Sequence, residues 1–110
     1  MRATNMSTEQ QAVLRAKVNM ETSRIDWKEL QQFFASGLAV WVSAKLDLVE
    51  VALQMSGDNK VQFENWLSAG MVGKIADEQA AAWLVADAEV WAVVVSPWVL
   101  VQEIMGSTQQ

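Results

Sequence analysis

Val90-Trp91-Ala92-Val93-Val94-Val95-Ser96-Pro97-Trp98-Val99-Leu100-Val101-Gln102-Glu103-Ile104 is the stretch whose reading decides the fold. It is dominated by β-branched and aromatic residues, the composition of extended chain. Its uncharged part, Val90 to Val101, is twelve residues long and interrupted by Pro97. That is well short of the roughly 20 apolar residues that span a bilayer, so the stretch belongs in a folded core or at an interface. Pro97 has no N–H to give a ladder, which leaves one long strand kinked at a sheet edge or two strands joined at Ser96-Pro97. Ser-Pro lacks the chemistry of a two-residue hairpin, so the sequence favours the kinked edge strand. An apolar edge is covered by a helix, a second copy or a partner, and tryptophan is enriched among interface anchors. Trp91, Pro97, Trp98 and Leu100 are therefore the candidate interface residues.

Working back from this ribbon, the chain reads as helices alternating with short strands. Ser7 with Gln10 and Thr8 with Gln11 fit the capping-box spacing of a helix to about Met20, whose apolar stripe of Val13, Leu14 and Val18 is thin. Trp27, Leu30, Phe33 and Phe34 recur at helical spacing and predict a helix from about Asp26 to Ser36, stopped by Gly37. Leu38 to Val42 reads as a buried strand. Asp47 and Glu50 open a helix to Met55, and Asp58 or Asn59 a further one to Gly70. Met71 to Ile75 is a strand candidate, and Asp77 is placed to cap the last helix, with Ala80, Trp83 and Leu84 inward. Shifting the chain by 33 residues lays 30–37 on 63–70, which fits either an internal α-β-α duplication or two ordinary helices stopped by glycine.

Composition removes much of the usual catalytic vocabulary. With no histidine and no cysteine, neither a Ser-His-Asp nor a Cys-His nucleophile can be assembled, nor a zinc site on imidazole or thiolate. The reading leans away from an enzyme, and no cofactor is implied. A net charge of −5 argues against nucleic acid and anionic membrane as partners. No apolar stretch follows the N-terminal Met-Arg, so a secretory signal is not indicated and a cytoplasmic location is the default. The charge is uneven: residues 1–36 hold five cations against four acids, and residues 37–110 hold three against nine. A mildly basic N-terminal arm can thus lie on an acidic body, in its own chain or in a neighbouring one.

Candidate sites compete with ordinary structural roles. Trp27, Trp41, Trp66 and Trp83 sit where core rings are expected. Glu21, Arg24 and Asp26 gather ionisable groups with Thr22 and Ser23 and form the candidate ligand cluster, although helix capping explains the same residues. Asp77-Glu78 and Asp87-Ala88-Glu89 do not match the alternating oxygen ligands of a calcium loop, so no metal site is assigned.

The stretch Asn19-Met20-Glu21-Thr22-Ser23-Arg24-Ile25 resembles a family of small, acidic bacterial proteins with no assigned activity. So do Trp27-Lys28-Glu29-Leu30 with Phe33-Phe34, Leu46 to Ala52, and above all Trp91 to Val95 followed by Pro97-Trp98-Val99-Leu100-Val101-Gln102-Glu103. The likeness covers roughly residues 10 to 104. It implies a cytoplasmic prokaryotic protein built as a compact domain and transfers no catalytic residue.

The resulting expectation is an α+β fold of about five helices on a small mixed sheet of three to four strands. It forms one domain over 7–105, with residues 1–6 and 106–110 as disordered ends. The expected function is a non-enzymatic interaction or assembly module, dimerising through the C-terminal apolar strand. The alternative is a small-ligand or divalent-cation binding protein using Glu21, Arg24 and Asp26.

Overall fold

The computed structural model describes residues 8–104, so the expected disordered ends, 1–6 and 106–110, lie outside the described residues. Within it the apolar ribbon folds into a hairpin, not a single kinked strand. Strand β4 (Glu89–Val95) pairs antiparallel with β5 (Trp98–Glu103), Val95 lying opposite Trp98. Ser96 and Pro97 form the turn, and the bond between them is cis. Placed outside the ladder, Pro97 removes no hydrogen bond from it, so the missing N–H does not force an edge position.

Nor is the ribbon at an edge. The sheet has five strands in the order β1-β4-β5-β2-β3, where β1 is Ser23–Asp26, β2 is Ala39–Val42 and β3 is Val72–Lys74. β5 pairs parallel with β2, and the β1–β4 and β2–β3 pairs are antiparallel. The edges are thus β1 and β3, and the sheet has five strands where three to four were expected. Strands covered on both faces read as near-continuous apolar runs, and that accounts for the composition of β4 and β5. One face is covered by a 3-10 turn (Trp27–Leu30), α2 (Gln31–Ala35) and α5 (Asp77–Val85), around Trp27, Trp83, Val90, Val99 and Val101. The other is covered by α1 (Thr8–Glu21), α3 (Leu48–Ser56) and α4 (Lys60–Ser68), around Val18, Val51, Val93 and Leu100.

The predicted helix from Asp26 to Ser36 begins later than its periodicity indicates. Residues 23–26 pair with β4 instead, Ile25 opposite Val90, and Trp27 N–H donates to the Ala88 carbonyl at 2.9 Å. Pairing with a buried partner strand outweighs the local pattern. Asp26 makes no side-chain cap, and Ala76 rather than Asp77 stands at the cap of α5, again without a side-chain bond. Leu84, expected inward, is 48% exposed, while Ala80 and Trp83 are buried as expected. Asp47 does cap α3, accepting from Val49 N–H, and Asn59 caps α4 by accepting from Gln62 N–H.

Helices α2, α3, α4 and α5 end alike. Leu38, Asn59, Met71 and Ala88 donate N–H to the carbonyls of Phe33, Gln54, Trp66 and Trp83 at 2.8 to 3.0 Å. The residue before each donor has positive φ: Gly37 (78°), Asp58 (59°), Gly70 (75°) and Asp87 (53°). This is the Schellman closure, in which a left-handed residue returns orphan carbonyls to hydrogen bonds. Because α3 and α5 share the stop without sharing the repeat, the 33-residue likeness is that of a helix end used four times.

Among the described residues, two cations of the basic N-terminal part, Arg15 and Lys28, meet acids of the same chain. Arg15 of α1 pairs with Glu50 of α3 and with its cap Asp47 (3.7 Å), and Lys28 lies 3.9 Å from Asp87. No helix among the described residues is long and apolar enough to cross a membrane.

Candidate functional site

Alternation along paired strands fixes which side chains share a face. Val40 pairs with both Leu100 and Lys74, and Val95 pairs with Trp98, two residues along from Val93 and Leu100 respectively. Val40, Lys74, Val95 and Trp98 therefore all stand on the face covered by α3 and α4. On α4, Lys60, Phe63, Glu64 and Leu67 recur at i, i+3, i+4 and i+7, one side of a helix. These two surfaces enclose an open groove of about 540 Å³ beneath the hairpin tip, with Met55, Asp58 and Asn59 at its end.

The groove has an apolar floor and a charged rim. Val40, Phe63, Leu67, Val95 and Trp98 supply the floor, and Asp58, Lys60, Glu64 and Lys74 the charges. The lining is electrically neutral in a chain of net charge −5, because it holds two of the three cations of residues 37–110. None of the four rim charges has an ion-pair partner within 4 Å among the described residues. Lys60 precedes Glu64 by one turn, the less favourable order for such a pair on a helix, which leaves both available to a ligand.

The interface residues expected from sequence separate sharply. Trp98 (38% exposed) and Pro97 are open to solvent at the hairpin tip, joined there by Val94 (62%) on the opposite face. Trp91 is half-buried, with the Arg24 guanidinium 5.5 Å from its ring centre. Leu100 is fully buried within this one chain and is removed from the interface set; its strand is central, with neighbours on both sides.

The ligand cluster expected from sequence lies apart from this groove. Glu21 ends α1, while Arg24 and Asp26 lie on the edge strand β1, and none of the three lines the groove. The described residues contain no group of three or more acidic, histidine or cysteine side chains able to hold a metal.

Lys60 and Glu64 escaped the sequence reading because α4 was read for its caps and its glycine stop and not for the charges on one of its faces, and Lys74 was read only as part of a strand. The mixed spacing at 60, 63, 64 and 67 was the available signal.

Comparison with known proteins now fits the geometry. The family model described as a protein of unknown function, DUF2288, matches residues 13–103. The chain belongs to this family. Among solved structures, the NMR solution structure of PA1075 from Pseudomonas aeruginosa is similar to this DUF2288 member, with 48% sequence identity and a TM-score of 0.72. The match covers 87% of this chain and 89% of that one. No curated protein matches the chain. The family thus accounts for the fold without naming a reaction.

Proposed function

We propose that this DUF2288 member is a cytoplasmic, non-enzymatic assembly module that dimerises through the tip of the β4–β5 hairpin. The observation that supports this reading is the exposure of Pro97 and Trp98 at the hairpin turn, with Val94 exposed beside it on the opposite face of the sheet. Large apolar side chains grouped on a surface mark contact sites more often than single ones do, and tryptophan is a frequent anchor of such contacts. Strand-to-strand pairing through β5 is not part of the proposal, since both sides of β5 are already occupied. Two copies meeting tip to tip form a two-fold contact, the commonest arrangement of soluble oligomers. The absence of cysteine fits a reducing compartment.

Sedimentation velocity over micromolar concentrations tests the reading. The wild-type chain sediments as a dimer, and Val94→Lys and Trp98→Glu each shift it to monomer while the circular dichroism spectrum is retained. A wild-type chain that is monomeric throughout the range overturns it.

A further inference from the structure

We infer that the groove between α4 and the sheet is a binding site for a free α-amino acid with an aromatic or branched apolar side chain, held as its zwitterion. The argument starts from what the lining excludes. A polyanion such as a nucleotide would meet Lys60 and Lys74 but also Asp58 and Glu64, and like charges at the rim oppose it. A divalent cation has only those two carboxylates, with two ammonium groups beside them. A wholly apolar guest would cover four charged groups and leave their lost hydration uncompensated. A molecule that carries one ammonium and one carboxylate together at one end of an apolar body satisfies all three constraints.

Size and placement agree. The groove of about 540 Å³ lies within the roughly 300–1,000 Å³ of small-molecule sites. Both signs stand beside the floor: Lys60 and Glu64 flank Phe63 on α4, and Lys74 shares its sheet face with Val40 and Trp98. A carboxylate is received by Lys60 and Lys74, an ammonium by Asp58 and Glu64, and the side chain lies on Phe63, Val40 and Trp98. Trp98 lines the groove and also belongs to the proposed dimer contact, whereas Val94 is on the other face of the sheet, so Val94→Lys separates the two without altering the groove lining.

The test is a titration of the Val94→Lys chain, whose oligomeric state is known beforehand, with L-phenylalanine, 3-phenylpropionate and 2-phenylethylamine. Amide and indole NMR shifts give position and affinity. L-phenylalanine perturbs Val40, Phe63, Lys74 and Trp98, and each analogue, lacking one charged group, binds about tenfold more weakly. Lys60→Gln with Lys74→Gln weakens L-phenylalanine by a similar factor and does not weaken 2-phenylethylamine. Asp58→Asn with Glu64→Gln weakens L-phenylalanine equally and does not weaken 3-phenylpropionate. No perturbation by any probe at millimolar concentration, equal binding of all three, or perturbations centred on β1 instead of the groove would each overturn the inference. None of these outcomes bears on dimerisation, which sedimentation of the wild-type chain decides.

Discussion

Trp27 Nε1–H donates to the carbonyl oxygen of Ala80 at 3.0 Å, tying the turn after β1 to α5 across 53 residues of sequence. The ring is fully buried and meets Trp83 edge-on at 5.0 Å and Phe34 at 5.7 Å. One side chain thus joins three elements over the same sheet face. Trp27→Phe keeps an aromatic body but loses the indole donor and part of the volume, so it should cost about 2 kcal/mol. Trp27→Ala should cost about 4 kcal/mol. Urea unfolding followed by circular dichroism measures both. A loss under about 0.5 kcal/mol for Trp27→Ala, the range of ordinary surface changes, would show that this junction is not part of the stable core.

The four matching helix ends allow a comparison inside one molecule. At Gly37 and Gly70 a Cβ would meet nothing within 4 Å, so the cost of Ala there is conformational, not steric crowding from neighbours. Gly37→Ala and Gly70→Ala should each lose about 1 kcal/mol, because φ near 75° is strained for an L side chain. Asp58→Gly should instead gain roughly 0.5 kcal/mol by relieving the same strain. Asp87→Gly should gain about as much, since the Lys28 pair it removes is exposed and weak. Thermal unfolding of the four variants decides the matter: the two classes must move the melting temperature in opposite directions.

How far the sequence was legible follows from how local each signal is. Asp47 and Asn59 cap their helices from two or three residues away, so α3 and α4 were readable, and Trp27 and Trp83 announced the core by their helical spacing. Strand β1 was not readable: Ser-Arg-Ile-Asp contains one apolar residue, and its extended form is imposed by β4, more than sixty residues away. The groove was hidden for the same reason. Val40, Lys60, Lys74 and Trp98 meet only after the sheet is ordered, and a strand order with a parallel β2–β5 pair is not written in any short window. In the ribbon the apolar pattern was read correctly as strand, but one residue type, proline, was taken to decide the topology when it decides only where the turn falls.

Gln102 closes the chain against the loop that follows β2. Its Nε2 donates to the carbonyl oxygens of Ser43 (2.9 Å) and Leu46 (2.8 Å), both in the segment leading to α3. Ser43 is buried, and its Oγ accepts from Lys45 N–H at 3.1 Å, so the side-chain amide completes a loop already turned by local bonds. Gln102→Leu has similar bulk but removes the side-chain donor from the Leu46 carbonyl and leaves the Ser43 carbonyl with Leu46 N–H alone, and should cost about 2 kcal/mol. Gln102→Glu replaces the donor with an acceptor facing two carbonyls and should cost at least as much at neutral pH. Because the loop positions Asp47, the cap of α3, amide hydrogen exchange in the first turn of α3 should rise in both variants while that of α5 stays unchanged. Uniformly faster exchange across α3 and α5 would mean that the amide supports global stability and does not hold this loop in particular.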